Sequence, residues 1–248
     1  MSIEVDTRCV DSHLSREDIR SIRKVVERAV RVARAHLAID DVRVRVFIEA
    51  DQVRPFFGLV AYTCGPHLVS VILDPQYPRW RYQEGRVRFS SVMAHEFYHV
   101  MRCRGPDSDR STALGARLVS EGLATNFEEE TGHPSLSSYT KMTDEYLKDL
   151  TQRAVPLLRE RPDAQGQFGT GTAKPFPSSG IHTLGWALVK MFLSANQYTP
   201  SEAIHLPAEQ ILQWWLTSLS PERPLPTADR SGHASSRATK RQLVFLPK

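Results

Sequence analysis

His95 and His99 stand four residues apart in the stretch "MAHEFYHVMRC", Met93 to Cys103, with Glu96 between them. In a helix, positions i and i+4 are neighbours on one face, so both imidazoles can reach a single ion. Neutral imidazole is a zinc ligand at roughly 2.0–2.1 Å. Glu96 lies about 100° around such a helix from His95. That offset lets its carboxylate stand beside the ion without binding it, ready to take a proton from a water. Two ligands are too few for a catalytic zinc, which usually takes three from the protein and keeps a fourth position open. The motif also arises by chance, so a third ligand has to be found elsewhere in the chain.

"GARLVSEGLATNFEEE" supplies a candidate. Glu121 sits there among Leu114, Leu118 and Ala124, a more apolar setting than a solvated glutamate needs. An ionised carboxylate is costly to bury unless something cationic meets it, and a divalent metal is sufficient. The 22 residues from His99 to Glu121 allow one turn and most of a second helix returning alongside. Gly122 would permit close helix–helix approach. His95, His99 and Glu121 then complete a two-histidine, one-glutamate site with water as fourth ligand. The plainer alternative for Glu121 is a surface pair with Arg117 one turn earlier. Cys103 lies too far along the helix axis to join the histidines. His67 and His133 have nothing at ligand spacing around them and read as structural.

The elements that must position these residues follow from periodicity. Ser15 and Asp18 form a capping box, opening a helix whose Ile19, Ile22, Val26, Ala29, Ala33 and Leu37 share one face. "DVRVRVFIE" alternates as a half-buried strand. Two strands flank the turn Cys64–His67, the second being "LVSVIL", Leu68 to Leu73. A loop rich in Arg and aromatics, with Trp80, Tyr82 and Phe89, reads as the rim of a cleft and leads into the motif helix, Phe89 to Arg102. A further helix, capped by Asp109 or Ser111, carries Glu121 to about Glu130. Tyr139 to Arg161 is helical with a break at Pro156. Helices over Ile181–Ala195 and Pro207–Ser218 follow a Gly/Pro/Ser loop. The fold class is α+β, with strands early and helices late. One domain spans 1–220, comprising a sheet part (1–88), the metal helices (89–131) and a helical part (139–219). The apolar-poor segment 221–248 reads as a disordered tail.

Composition narrows the setting. The chain has 248 residues, 41% hydrophobic and 24% charged, which is ordinary for a soluble globular protein. No apolar run approaches the roughly 18 residues that span a bilayer, so no membrane association is expected. No basic-then-apolar leader opens the sequence, and three scattered cysteines give no disulfide framework. The expected location is the cytoplasm. A net charge of +4 is too small to imply nucleic acid. The stripe Arg16, Arg20, Lys24, Arg28 and Arg31 is interrupted by Glu17, Asp18 and Glu27 and reads as a solvated helix face.

"HEFYH" followed by "LVSEGLA" resembles the glutamate-type zincins, or gluzincins. More narrowly, the chain resembles a family of predicted bacterial zinc-dependent proteases, domain of unknown function 2268, over roughly residues 45–215. "VSVILDP", "GIHTLGWALVKMFL" and "PAEQILQWW" match its looser segments. The resemblance implies a zincin-like fold with a small N-terminal mixed sheet and an edge strand, here "LVSVIL", above the active-site helix. It implies one zinc per chain on His95, His99 and Glu121, with Glu96 as general base in peptide-bond hydrolysis. A peptide or protein substrate is expected, laid along that edge strand by main-chain hydrogen bonds. The family commonly has a tyrosine where Ile181 stands here; His182 is next in line as oxyanion donor. The alternative is a catalytically weak or inactive protease-like scaffold that acts as a binding or regulatory protein.

Overall fold

The computed structural model describes residues 4–6, 15–48, 58–74, 78–105, 112–133, 143–161 and 178–219. Among them run β1 (Glu4–Asp6), α1 (Arg16–Arg34), β2 (Arg43–Ile48), β3 (Leu59–Thr63) and β4 (Leu68–Leu73). A 3-10 turn (Pro78–Arg81) leads into α2 (Gln83–Cys103) and then α3 (Leu114–Glu130). After α4 (Asp144–Ala154) and a 3-10 turn (Val155–Leu157) come α5 (Ser178–Asn196) and α6 (Ala208–Ser218). The α+β class expected from the sequence is what the chain adopts.

The capping box forms as expected. Ser15 Oγ accepts from the Asp18 amide at 3.1 Å, and Asp18 Oδ2 accepts from the Ser15 amide at 3.0 Å. Ile22, Val26, Ala29 and Ala33 of α1 are buried, while Arg16, Arg20, Lys24, Arg28 and Arg31 are exposed. The arginine stripe is a solvated face.

The sheet is mixed, in the order β1-β2-β4-β3. β1, β2 and β4 are parallel neighbours, and β3 pairs antiparallel with β4. Gly65 makes the hairpin turn between them at φ +108°, a conformation other residues rarely adopt. This corrects the expectation that "LVSVIL" is the edge strand. As β4 it has a partner on each side, and its residues from Val69 to Leu73 are buried. The edge that lies along α2 is β3, whose Val60 and Tyr62 are exposed. The cause is strand order: β2 pairs in parallel with β4 on the side away from β3, a long-range pairing that no local pattern announces.

α2 starts at Gln83, six residues before the expected Phe89. Gly85, in the first turn of α2, serves packing: a Cβ there would lie 2.0 Å from Arg79 O, so only glycine admits the preceding turn. Trp80 and Phe89 are buried in the core and do not line a cleft, whereas Tyr82 is exposed. The expected caps Asp109 and Ser111 lie outside the described residues. The first amides of α3 are met instead by the chain after α4: Leu114 N–H donates to Glu160 O and Gly115 N–H to Leu158 O, both at 2.9 Å. Thr143 caps α4, which gives way to a 3-10 turn at Pro156. One hydrophobic cluster runs from Ile22 in α1, through the sheet and α2, to Trp215 in α6. Residues 221–248 lie outside the described part of the chain.

Candidate metal centre

α2 puts His95 and His99 on one face with ring centroids 4.8 Å apart and Nε2 atoms 3.1 Å apart. α3 brings Glu121 Oε2 to 3.1 Å from His95 Nε2 and 3.6 Å from His99 Nε2. α5 adds His182, with Nδ1 3.2 Å from Glu121 Oε2. Glu121 therefore turns its carboxylate into a histidine cluster, and all three predicted ligand residues meet at one point.

The approach of α5 has a steric origin. Gly122 on α3 and Gly185 on α5 face each other so closely that a Cβ on the first would lie 2.2 Å from Gly185 O. One on the second would lie 2.3 Å from Leu118 O. Gly122 does allow close helix packing, as the sequence suggested, but its partner is α5 and not α2. His182 sits one turn before Gly185, so this crossing carries it to Glu121. Ile181, next to His182, is buried in the core.

Outer contacts orient the imidazoles. His95 Nδ1 donates to Glu128 Oε1 at 2.9 Å, and Ser91 Oγ donates to the other oxygen of that carboxylate. A carboxylate only accepts, so His95 carries its neutral-state proton on Nδ1 and aims a lone pair from Nε2 into the centre. His99 Nδ1 is held by Ser120 Oγ at 3.1 Å, which likewise leaves Nε2 inward. Neither Glu128, Ser91 nor Ser120 was singled out from the sequence. Glu128 had a usable signal: it lies seven residues, two turns, beyond Glu121 on the same helical face. Ser91 stands one turn before His95.

The donor set fits a small divalent cation. The inward lone pair of His95 and the Glu121 carboxylate oxygen repel one another unless a cation lies between them. Ligands at the zinc distances given above, in tetrahedral geometry, stand roughly 3.3 Å apart. The separations of 3.1, 3.1 and 3.6 Å bracket that value. His95, Glu121 and His182 also offer one ligand atom each within 4.8 Å of one another. Two triads thus share His95 and Glu121, and the tighter one contains His99.

Without metal, protons serve as the cations. Burial opposes charge on His95, but hydrogen bonds and charges from Glu121 and Glu128 prevail and raise its pKa well above the ordinary value. Burial opposes ionisation of Glu121, yet the adjacent His99 charge and hydrogen bonds from both histidines hold its pKa well below the usual carboxylate range. His182 is pushed down, chiefly by burial, with Glu121 only partly opposing.

Glu96 lies next to this cluster on α2, 7% exposed. Thr63 Oγ1, at the end of β3, lies 2.8 Å from Glu96 Oε2. Cys103 takes no part in the cluster. His67 contacts Asp41 O, and His133 contacts Ser90 and Thr131, as structural histidines do.

Histidine and glutamate side chains from three helices of an α+β scaffold thus meet at one point, a donor set that could hold a metal ion, with a further carboxylate beside them. The chain belongs to the family described as predicted Zn-dependent protease (DUF2268), whose model matches residues 22–213. No curated protein and no solved structure matches it. No helix among the described residues is long and apolar enough to cross a membrane.

Proposed function

We propose that the chain is a zinc metallopeptidase of gluzincin type that cleaves peptide bonds, probing its substrates along β3. His95, His99 and Glu121 hold the ion. When bound, zinc lowers the pKa of a coordinated water and polarises the scissile carbonyl. Glu96 accepts the water proton on its carboxylate and delivers it to the leaving amine nitrogen. His182 donates from Nδ1, the atom that reaches the cluster, to the oxygen that becomes negative at the attacked carbon. The exposed edge β3 beside α2 accepts an extended peptide through main-chain hydrogen bonds. These bonds tolerate many side chains, which favours peptide over sugar or phosphate ester.

The observation that carries the reading is the convergence of His95, His99 and Glu121 with Glu96 beside them but unattached to them. A purely structural site has no use for such a carboxylate. The test is metal analysis of the purified chain with a peptide-library digest, and Glu96→Gln as control.

One observation favours the scaffold alternative. His182 Nδ1 stands 3.2 Å from Glu121 Oε2, close enough to serve as a fourth protein ligand. Four protein ligands close a zinc site and remove the position water needs. Loss of zinc on His182→Ala would favour that alternative.

A further inference from the structure

We infer that Thr63 is a positioning residue for Glu96, holding one carboxylate oxygen so that the other faces the reacting water; the catalytic half of this inference rests on the peptidase reading. Thr63 Oγ1 lies 2.8 Å from Glu96 Oε2 and 2.9 Å from Glu96 O, so one hydroxyl proton is shared between two acceptors. The charged acceptor draws it more strongly. Among the described residues no other side-chain or backbone donor meets the Glu96 carboxylate. Oε1 is therefore the oxygen left to accept a proton.

A glutamate has several rotatable bonds, and fixing its tip costs conformational entropy that some contact must offset. Thr63 suits the task because it stands on a fixed point of the fold. It is the last residue of β3, paired in register with Val69, and the next residue, Cys64, donates its amide to Leu68 O at 2.8 Å. A threonine is also restricted at χ1, which limits the directions its hydroxyl can take. The hydroxyl therefore links the end of the exposed edge strand to the carboxylate beside the candidate metal ligands. The sequence carries no sign of this link, since 33 residues separate the partners.

The test compares full-length wild type, Thr63→Val and Thr63→Ser, each zinc-loaded, by crystallography and by steady-state kinetics on a fluorogenic peptide that wild type cleaves. Valine keeps the shape and deletes the hydroxyl; serine keeps the hydroxyl. In Thr63→Val the Glu96 carboxylate leaves its place by about 1 Å, and kcat falls about 10- to 100-fold. KM stays within about twofold and zinc stoichiometry is unchanged. Thr63→Ser restores carboxylate position and kcat to within about threefold of wild type. An unmoved Glu96 in Thr63→Val overturns the inference, as does a kcat within about threefold of wild type or a serine variant no better than valine. If zinc-loaded wild type cleaves no peptide, the peptidase reading fails by itself, and the carboxylate's position in the two crystal structures still decides whether Thr63 holds it.

Discussion

Glu128 Oε1 accepts a hydrogen bond from His95 Nδ1 at 2.9 Å, and through it a carboxylate two turns beyond Glu121 governs which nitrogen of His95 faces the candidate metal centre. Such partners fix ring orientation and raise ligand basicity. Glu128→Gln keeps the size but loses the charge, and its amide can offer a donor where an acceptor is needed. Zinc affinity then falls about 10- to 100-fold. Competition titration against a chelator of known affinity measures this. Unchanged affinity would mean that Glu128 only packs.

His182→Ala separates its two possible roles. As oxyanion donor, its loss leaves zinc bound and lowers kcat by about 100-fold, near 3 kcal/mol of transition-state stabilisation. As fourth ligand, its loss weakens zinc binding instead. Zinc stoichiometry and kcat measured on the same preparation tell these apart, and the proposal requires retained zinc with reduced kcat.

Gly185→Ala sets two magnitudes against each other. Alanine gains roughly 1 kcal/mol over glycine inside a helix. The new Cβ, however, meets Leu118 O at 2.3 Å, and backbone cannot yield as a flexible side chain does. Overpacking of this kind costs about 1–3 kcal/mol, so α5 shifts away from α3 and net stability falls. Urea denaturation should show a lower midpoint with little change in slope. A more stable variant would contradict the crossing described for α3 and α5.

In the metal-free protein the His95 contribution to stability has the opposite pH dependence to zinc binding. The pKa of His95 is raised in the folded chain, so its contribution to stability is full below its ordinary value of 6.5 and lost as pH rises through the folded value. The pKa of Glu121 is depressed, so its contribution is present above its ordinary 4.5 and lost as pH falls through the folded value. Zinc needs His95 without its Nε2 proton, and protons therefore compete with metal as pH falls. The stability difference between zinc-loaded and metal-free protein should widen as pH rises from the ordinary histidine value through the folded value of His95. Denaturation with and without zinc across that range checks it; a constant or narrowing difference contradicts the shared site.

What the sequence disclosed depended on whether a residue acts through local spacing. His95, His99 and Glu96 lie within one turn and a half, so helical geometry alone related them. Glu121 was legible because an acid amid leucines asks for a cation. The capping box at Ser15 and the hairpin around Gly65 were legible because each is closed by residues a few positions apart. Strand order was not legible: the parallel pairing of β2 with β4, across the intervening β3, decides that β4 is interior and β3 an edge. α2 starts six residues before the expected Phe89, in a stretch of arginines and aromatics without apolar periodicity, where Gly85 is held by its contact with Arg79 O. Thr63 and Glu96 are joined only by the fold, and no pattern along the chain could pair them.

The central claim is that Glu96 moves the proton while His95, His99 and Glu121 hold the metal. It is tested most directly by measuring zinc content and peptide cleavage side by side in wild type and Glu96→Gln. The account predicts about one zinc per chain in both proteins, with cleavage by wild type reduced by at least about 100-fold in the variant. Full cleavage by zinc-loaded Glu96→Gln, or stoichiometric zinc with no cleavage by wild type, would contradict it.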